Sequence, residues 1–311
     1  SQVSGKEIEN EDLVNWPNWL PLTFRHTGGE WFGLDKVQVQ EFSQHLDMQQ
    51  GLLTRRIRFK DGAGRETHLL SRRFVSMANP HVGAQAWELT PLNWSGTIEV
   101  RTALDGGVTN DGVARYRSLE GKHLEPLQAD QYDEETLYLL VQTNQSQVRM
   151  AQAARTVVRV DGKRQEVERQ STAKNDYVEQ VLQVSCSEAR PVTIEKVVLI
   201  YTSKDFAISE PLLEACKNIE RLTSFDQLLD ASCRAWRRVW KRCDLQMACN
   251  DEAQSVLRLH VFHLLQTVSA NSVSRDVGVP ARGWHGEAYR GHIFWDELFI
   301  FPFLNFRLPD L

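Results

Sequence analysis

The first two thirds of the chain repeat one pattern, short runs of alternating apolar and polar residues closed by turn-forming pairs, and the pattern stops at Glu210. Leu53, Ile57 and Phe59 interleave with Thr54, Arg56, Arg58 and Lys60 before Asp61-Gly62; Ile98, Val100 and Leu104 alternate in the same way before Asp105-Gly106. A period of two places successive side chains on opposite faces, so each run can turn one face to a core. Val157, Val158 and Val160 lead into Asp161-Gly162, a hairpin signal, and the charged residues 163–168 read as an exposed return arm. Residues 136–143 and 192–202 are further strands, and the second is rich in β-branched residues, which suits the centre of a sheet. Strands this closely spaced, with no helical period between them, predict a mainly β, antiparallel sandwich of large size.

From Glu210 the period becomes helical. Pro211 opens a short helix carrying Leu212, Leu213, Cys216, Ile219 and Leu222. Ser224 with Gln227 forms a capping-box pattern ahead of the stripe Phe225, Leu228, Leu229, Cys233, Trp236, Val239, Trp240 and Cys243. The opposite face, with Arg234, Arg237, Arg238, Lys241 and Arg242, is basic and could suggest an anionic partner, but reads more readily as a solvated, ion-paired surface. Asn250 is a candidate N-cap, with Asp251 and Glu252 in the first turn of a helix that continues to Val268. The chain therefore divides into a β-sandwich over 1–208, a helical linker over 209–245 and a helical unit over 246–311.

Composition narrows the function classes. With 311 residues and 41% hydrophobic content, the chain can bury a sizeable core and is expected to hold two domains. A net charge of -5 with interspersed signs excludes a basic face for nucleic acid or anionic lipid, and no apolar run reaches the roughly 20 residues of a membrane span. The five cysteines, Cys186, Cys216, Cys233, Cys243 and Cys249, have no Cys-x-x-Cys spacing and read as free thiols in a reducing compartment. With no apolar signal core in the first residues, a cytoplasmic protein is expected. His45, His68 and His123 stand alone; His260 and His263 share a helix face but lack a third ligand, so no metal site is expected. Trp16, Trp19, Trp31 and the group Asn79, His81, Asn93 and Trp94 read as packing residues of the sandwich rather than as a sugar surface.

The chemistry concentrates in residues 278–303, GVPARGWHGEAYRGHIFWDELFIFPF. A polar, glycine-rich loop with Gly283, His285, Gly286, Glu287, Tyr289, Arg290, Gly291 and His292 runs into Phe294, Trp295, Leu298, Phe299, Phe301 and Phe303. These are too apolar for a surface helix, so a helix starting at His292 or Ile293 is expected to be buried on most sides, with Pro302 kinking or ending it unless that residue falls in its first turn. Asp296 within such a run must be paired, hydrogen-bonded or placed at a pocket. Two readings remain: a structural ion pair with Arg290 or Arg282, or a sugar site in which Trp295 offers a flat apolar face and Asp296 accepts hydroxyl bonds.

The Ala-Arg-Gly, Gly-Glu-Ala-Tyr-Arg-Gly-His and Phe-Trp-Asp pieces between Pro280 and Asp296 closely resemble glycoside hydrolase family 65, which holds maltose, trehalose and kojibiose phosphorylases and related α-glucoside hydrolases. The likeness extends to Ala235-Trp236, Trp240, Asp244 and residues 262–266, and more loosely to the N-terminal region. The resemblance implies a super-sandwich, linker helices and then the first helices of an incomplete (α/α)6 barrel. It implies that Trp295 and Asp296 bind the glucose at the non-reducing end of an α-linked disaccharide, with His292, Gly291, Arg290 and Glu287 shaping that subsite. The family often has Asp-Thr-Glu where this chain has Asp296-Glu297-Leu298, so no role passes to Glu297. The resemblance also implies inverting cleavage by hydrolysis or phosphorolysis, with inorganic phosphate as co-substrate in the second case and no cofactor. The general-acid glutamate is expected downstream of these 311 residues, so no catalytic residue is assigned here and the chain alone is expected to be inactive. A homodimer through the sandwich is a further expectation; the alternative is a stand-alone carbohydrate-binding or dimerisation module.

Overall fold

The computed structural model describes residues 2–3, 5–7, 12–248, 250–268, 278–280, 283–284 and 286–311. Cys249, Arg282, His285 and most of the loop before Gly278 lie outside the described residues. Two short strands, β1 (Gln2–Val3) and β2 (Lys6–Glu7), pair with each other at the start. The sandwich follows: β3 (Leu22–His26), β4 (Gln38–Asp47), β5 (Leu52–Lys60), β6 (Glu66–Val75), β7 (Val82–Pro91) and β8 (Gly96–Asp105) form its first half. The second half holds β9 (Leu124–Gln131), β10 (Thr136–Thr143), β11 (Arg149–Val160), β12 (Lys163–Gln165), β13 (Arg169–Ala173), β14 (Tyr177–Cys186) and β15 (Val192–Thr202).

These strands make two antiparallel sheets. The larger runs β4-β5-β6-β7-β15-β11-β10-β9, with β12 paired to β11; the smaller runs β13-β14-β8-β3. The alternation read from the sequence is the alternation observed: Ile57 and Phe59 of the large sheet meet Phe24, Ile98 and Val100 of the small one in a shared core. A second cluster joins Leu104 and Val178 to Leu137, Leu139 and Val198. Each such fully buried aliphatic side chain contributes about 1.5–3 kcal/mol relative to exposure.

The β-branched strand β15 sits between β7 and β11, as its composition predicts. It is buried along nearly its whole length because both its faces are covered: Ile194 and Val198 face the small sheet, while Val197 and Leu199 face a helix. Asp161 and Gly162, both at positive φ, close the β11–β12 turn as a primed hairpin. Asp105-Gly106 does not close a hairpin. Gly106 instead donates to the carbonyl of Asp176, and the chain leaves the small sheet in a long loop before β9.

The helices are α1 (Pro211–Ile219), α2 (Phe225–Cys243), α3 (Asp251–Thr267) and α4 (Glu297–Arg307). Glu210 caps α1 through the amide of Leu213, and Arg155 of β11 donates to the carbonyls of Ile219 and Leu222 at its other end, so this helix stops before Leu222. Ser224 occupies the N-cap of α2, but its side chain makes no capping hydrogen bond; Asn250 does cap α3, accepting from Ala253. Helix α1 and Phe225 and Leu229 of α2 cover the outer face of the large sheet. The second half of α2 packs Trp236, Trp240 and Cys243 against Val261, Phe262 and Leu265 of α3 and Leu304 of α4. A bidentate pair, Arg258 to Asp244 at 2.8 Å for each bond, ties α3 back to the end of α2.

The β4–β5 turn is tailored to α2. Gly51 has φ +64, and a Cβ built there would lie 2.2 Å from Nε1 of Trp236. Gly51→Ala is therefore expected to destabilise the protein by about 2–4 kcal/mol, through both the left-handed backbone and the displaced indole. A urea midpoint within experimental error of the unsubstituted protein would contradict this.

Candidate functional site

The motif region departs from the sequence expectation in one respect that bears on function. Helix α4 begins at Glu297, not at His292 or Ile293, so Phe294, Trp295 and Asp296 form the turn that enters it. Pro302 lies inside the helix, which continues to Arg307. The apolar helix is not buried on most sides: Trp295 is 69% exposed, Phe299 73% and Phe306 86%, while only Leu304 is buried within it. The expectation failed because an all-round apolar helix needs neighbours on every side, and the described residues cover one side only.

The turn is built by an unusual backbone. Tyr289, Arg290 and Gly291 follow one another at φ 61, 53 and 73. For residues with a Cβ, such left-handed geometry costs of order 1–3 kcal/mol each and persists only where the surroundings hold it. At Gly291 the need for glycine is double, because a Cβ would also press within 3.3 Å of Leu13 and 3.4 Å of Trp284. The ring of Tyr289 meets Phe294 edge-on at 5.4 Å, and Trp295 meets Phe299 edge-on at 5.5 Å.

The structure splits the predicted site residues into two groups. Gly291 leads out of the turn to His292 and Trp295, which are exposed, and to half-exposed Asp296 at the N-cap position of α4, whose side chain makes no capping bond. Glu287 and Arg290 instead engage the sandwich. The carboxylate of Glu287, 8% exposed, accepts from Asn15 Nδ2 at 2.7 Å and from the amide of Gly112 at 3.0 Å. Arg290 pairs with Asp12 at 3.2 Å and lies over the ring of Tyr116 at 4.8 Å. The carboxylate seen with Arg290 is thus Asp12. The space enclosed with Asn110 and His123 is about 10 Å³, at most enough for one water. Glu297, outside the resemblance to the family's motif, accepts from the amide of Val279 at 2.9 Å and anchors the start of the motif.

Asp12, Asn15, Gly112 and Tyr116 escaped the sequence reading. Asn15 precedes Glu287 by 272 residues, and nothing in periodicity or spacing marks such a contact. Of the sandwich aromatics and their polar neighbours, Trp94 is buried and donates to Thr67 Oγ1 at 3.0 Å, the His81 ring stacks on Tyr201 at 4.0 Å, and Arg25 and Arg101 lie over Trp31 at 4.4 and 4.3 Å, whereas Trp16 is exposed rather than packed. Cys186, Cys216, Cys233 and Cys243 are free thiols, and burial pushes Cys186 and Cys216 up to about 12, which makes them inert. No described helix is long and apolar enough to cross a membrane.

Comparison with known proteins places this arrangement. An uncharacterized glycosyl hydrolase of Mycobacterium tuberculosis is 40% identical over 309 residues, covering 99% of this chain and 23% of the relative. A kojibiose phosphorylase of Caldanaerobacter subterraneus is 31% identical over 316 residues, covering 98% of this chain and 40% of its own length. A solved structure assigned as a kojibiose phosphorylase from the human microbiome superposes with a TM-score of 0.78 at 19% identity, over 94% of this chain and 37% of that one. The chain thus spans well under half the length of these relatives, and the superposition shows the shared fold. Residues 1–239 match the N-terminal domain of glycosyl hydrolase family 65 and residues 258–311 match its central catalytic domain. The sandwich, the linking helices and the Phe-Trp-Asp turn at the head of α4 are accordingly those of a glycosyl hydrolase family 65 chain, and the protein belongs to that family.

Proposed function

We propose that these residues are the sandwich and the glucose-holding part of an enzyme that cleaves α-linked glucose disaccharides of the kojibiose, trehalose or maltose type with inversion. The observation that carries this reading is the turn before α4. It leaves Trp295 exposed and Asp296 partly exposed next to it, with no capping bond to α4, so an indole face is available to a pyranose ring while the adjacent carboxylate accepts from its hydroxyls. His292 and Gly291 flank them, while Glu287 and Arg290 shape the subsite from behind. The exposed apolar surface of α4 supports a catalytic domain of further helices packed around it, and counts against a binding module that covers this surface with its own sandwich; a dimerisation module would cover it with a partner chain.

Inverting cleavage needs an acid for the leaving oxygen and a base, or phosphate, on the opposite face of the sugar. Glu287 is a poor candidate for the acid, since both its oxygens are already bonded to the sandwich. The acid is proposed to lie outside these residues, and the 311 residues by themselves are proposed to be inactive. The kojibiose phosphorylase relative favours phosphorolysis; phosphate as co-substrate, with no cofactor, is part of the proposal. A cytoplasmic location and a homodimer through the sandwich complete the proposal.

The test is glucose release from kojibiose, trehalose and maltose by the full-length protein with and without phosphate. Phosphate-dependent release with β-glucose 1-phosphate as product is expected. Phosphate-independent release of β-glucose would move the assignment to hydrolysis. Absence of turnover on every α-linked disaccharide, or product of retained configuration, would overturn the reading.

A further inference from the structure

We propose that residues 12–21 act as a strap by which the sandwich sets the geometry of the glucose subsite, with Asp12 and Asn15 as positioning residues. This rests on the reading that Trp295 and Asp296 hold glucose.

The strap is rigid because the sandwich core grips its backbone. Three side chains from neighbouring strands of the large sheet reach across to its carbonyls: Gln152 to Pro17 at 2.7 Å, Gln85 to Leu20 at 3.0 Å and Lys196 to Pro21 at 3.1 Å. All three side chains belong to fully or almost fully buried residues. Asn18 exchanges backbone hydrogen bonds with Asp105 at the end of β8. Toward its start the strap is tied to the loop after β8, where Asn110 donates to the carbonyl of Leu13 at 2.7 Å and accepts from the amide of Asn15 at 3.1 Å.

The other side of the strap grips the motif loop. Asn15 and Gly112 hold Glu287, Asp12 holds Arg290, and Leu13 lies against Gly291. These contacts fall on Glu287, two residues before Tyr289, and on Arg290 and Gly291, two of the three residues whose left-handed backbone needs outside support. From Gly291 only His292, Ile293 and Phe294 separate the gripped backbone from Trp295. The left-handed turn therefore converts contacts made by the sandwich into the placement of the indole and the carboxylate. A sandwich that touches no reacting atom can in this way tune how well glucose is held.

The experiment compares the full-length protein with its Asp12→Ala, Asn15→Leu and Asp12→Glu variants, and with Arg72→Gln as a control. Arg72 pairs with Asp226 at 3.0 Å between sandwich and α2, away from the motif. Two readouts are taken: amide hydrogen exchange of residues 286–299, and KM and kcat for whichever α-linked disaccharide the unsubstituted protein cleaves. Asp12→Ala and Asn15→Leu are expected to speed exchange in 286–299 and to raise KM about tenfold with kcat changed less than about threefold, as misplacement of a binding group requires. Asp12→Glu is expected to recover most of the KM, and the control to leave both readouts unchanged. Unaltered exchange in the motif loop, unaltered KM in an active protein, or an equal effect from the control would overturn the proposal. Faster exchange in a full-length protein that cleaves no α-glucoside would leave the strap-to-loop coupling standing and defeat the glucose assignment on which its function rests.

Discussion

Replacing Asp296 by alanine in the full-length protein is expected to lower kcat/KM for an α-linked disaccharide by about 10³-fold, the equivalent of two charge-assisted hydrogen bonds to the proposed glucose at roughly 1.5–3 kcal/mol each. The stability cost should be small, within about 1 kcal/mol, because the side chain is half-exposed and makes no capping bond to α4. Trp295→Ala should behave alike, since an indole that is 69% exposed contributes little to the fold of these residues and its loss should show in substrate binding. Steady-state kinetics beside a urea titration separate the two effects. A kcat/KM within threefold of the unsubstituted protein would remove Asp296 from the proposed subsite. A collapse of stability would instead return it to the alternative of a structural carboxylate.

The second large effect concerns Lys196, which lies in the middle of β15 and is fully buried. Its ammonium reaches the carbonyls of Ala103 at 2.7 Å and Pro21 at 3.1 Å, and neither is a carboxylate. Burial without a counter-charge lowers its pKa from 10.5 to about 7. The unfolded chain therefore holds this proton more tightly than the folded one. The stabilising contribution is complete above the unfolded value, declines as pH falls, and is gone below about 7. Between pH 7 and 9 the unfolding free energy should rise by roughly 2–3 kcal/mol from this residue alone. Lys196→Met should remove that rise, so the difference between the two proteins, measured by urea unfolding at pH 6.5 and pH 9, isolates it from other groups titrating there. A difference that is the same at both pH values would show that Lys196 keeps its proton when folded.

The strand pattern was legible because burial in a sandwich imposes a period of two directly on the residues. Residues 136–143 and 192–202 appear as β10 and β15 with the ends read from the sequence, and Asp161-Gly162 is the turn it signals. Asp105-Gly106 carries the same signal and makes no hairpin, because Gly106 is held by Asp176 from β14's side of the small sheet. A dipeptide reports a local preference, and a distant hydrogen bond overrides it. The apolar run of α4 was legible as a helix but not as an exposed one, since composition tells how much surface needs covering and not what covers it.

What the sequence by itself determined is the set of local and periodic properties: two antiparallel sheets, the change to helices at Glu210, and the motif whose residues are contiguous enough to be read in one line. Only the tertiary structure decided how that motif is held. Glu287 and Arg290 sit beside His292 and Asp296 in the chain, yet their side chains belong to contacts with Asn15 and Asp12, residues that no local rule connects to them. The reason is physical: hydrogen bonds and ion pairs depend on distances of about 3 Å in space, and once a sandwich closes, that distance no longer depends on separation along the chain.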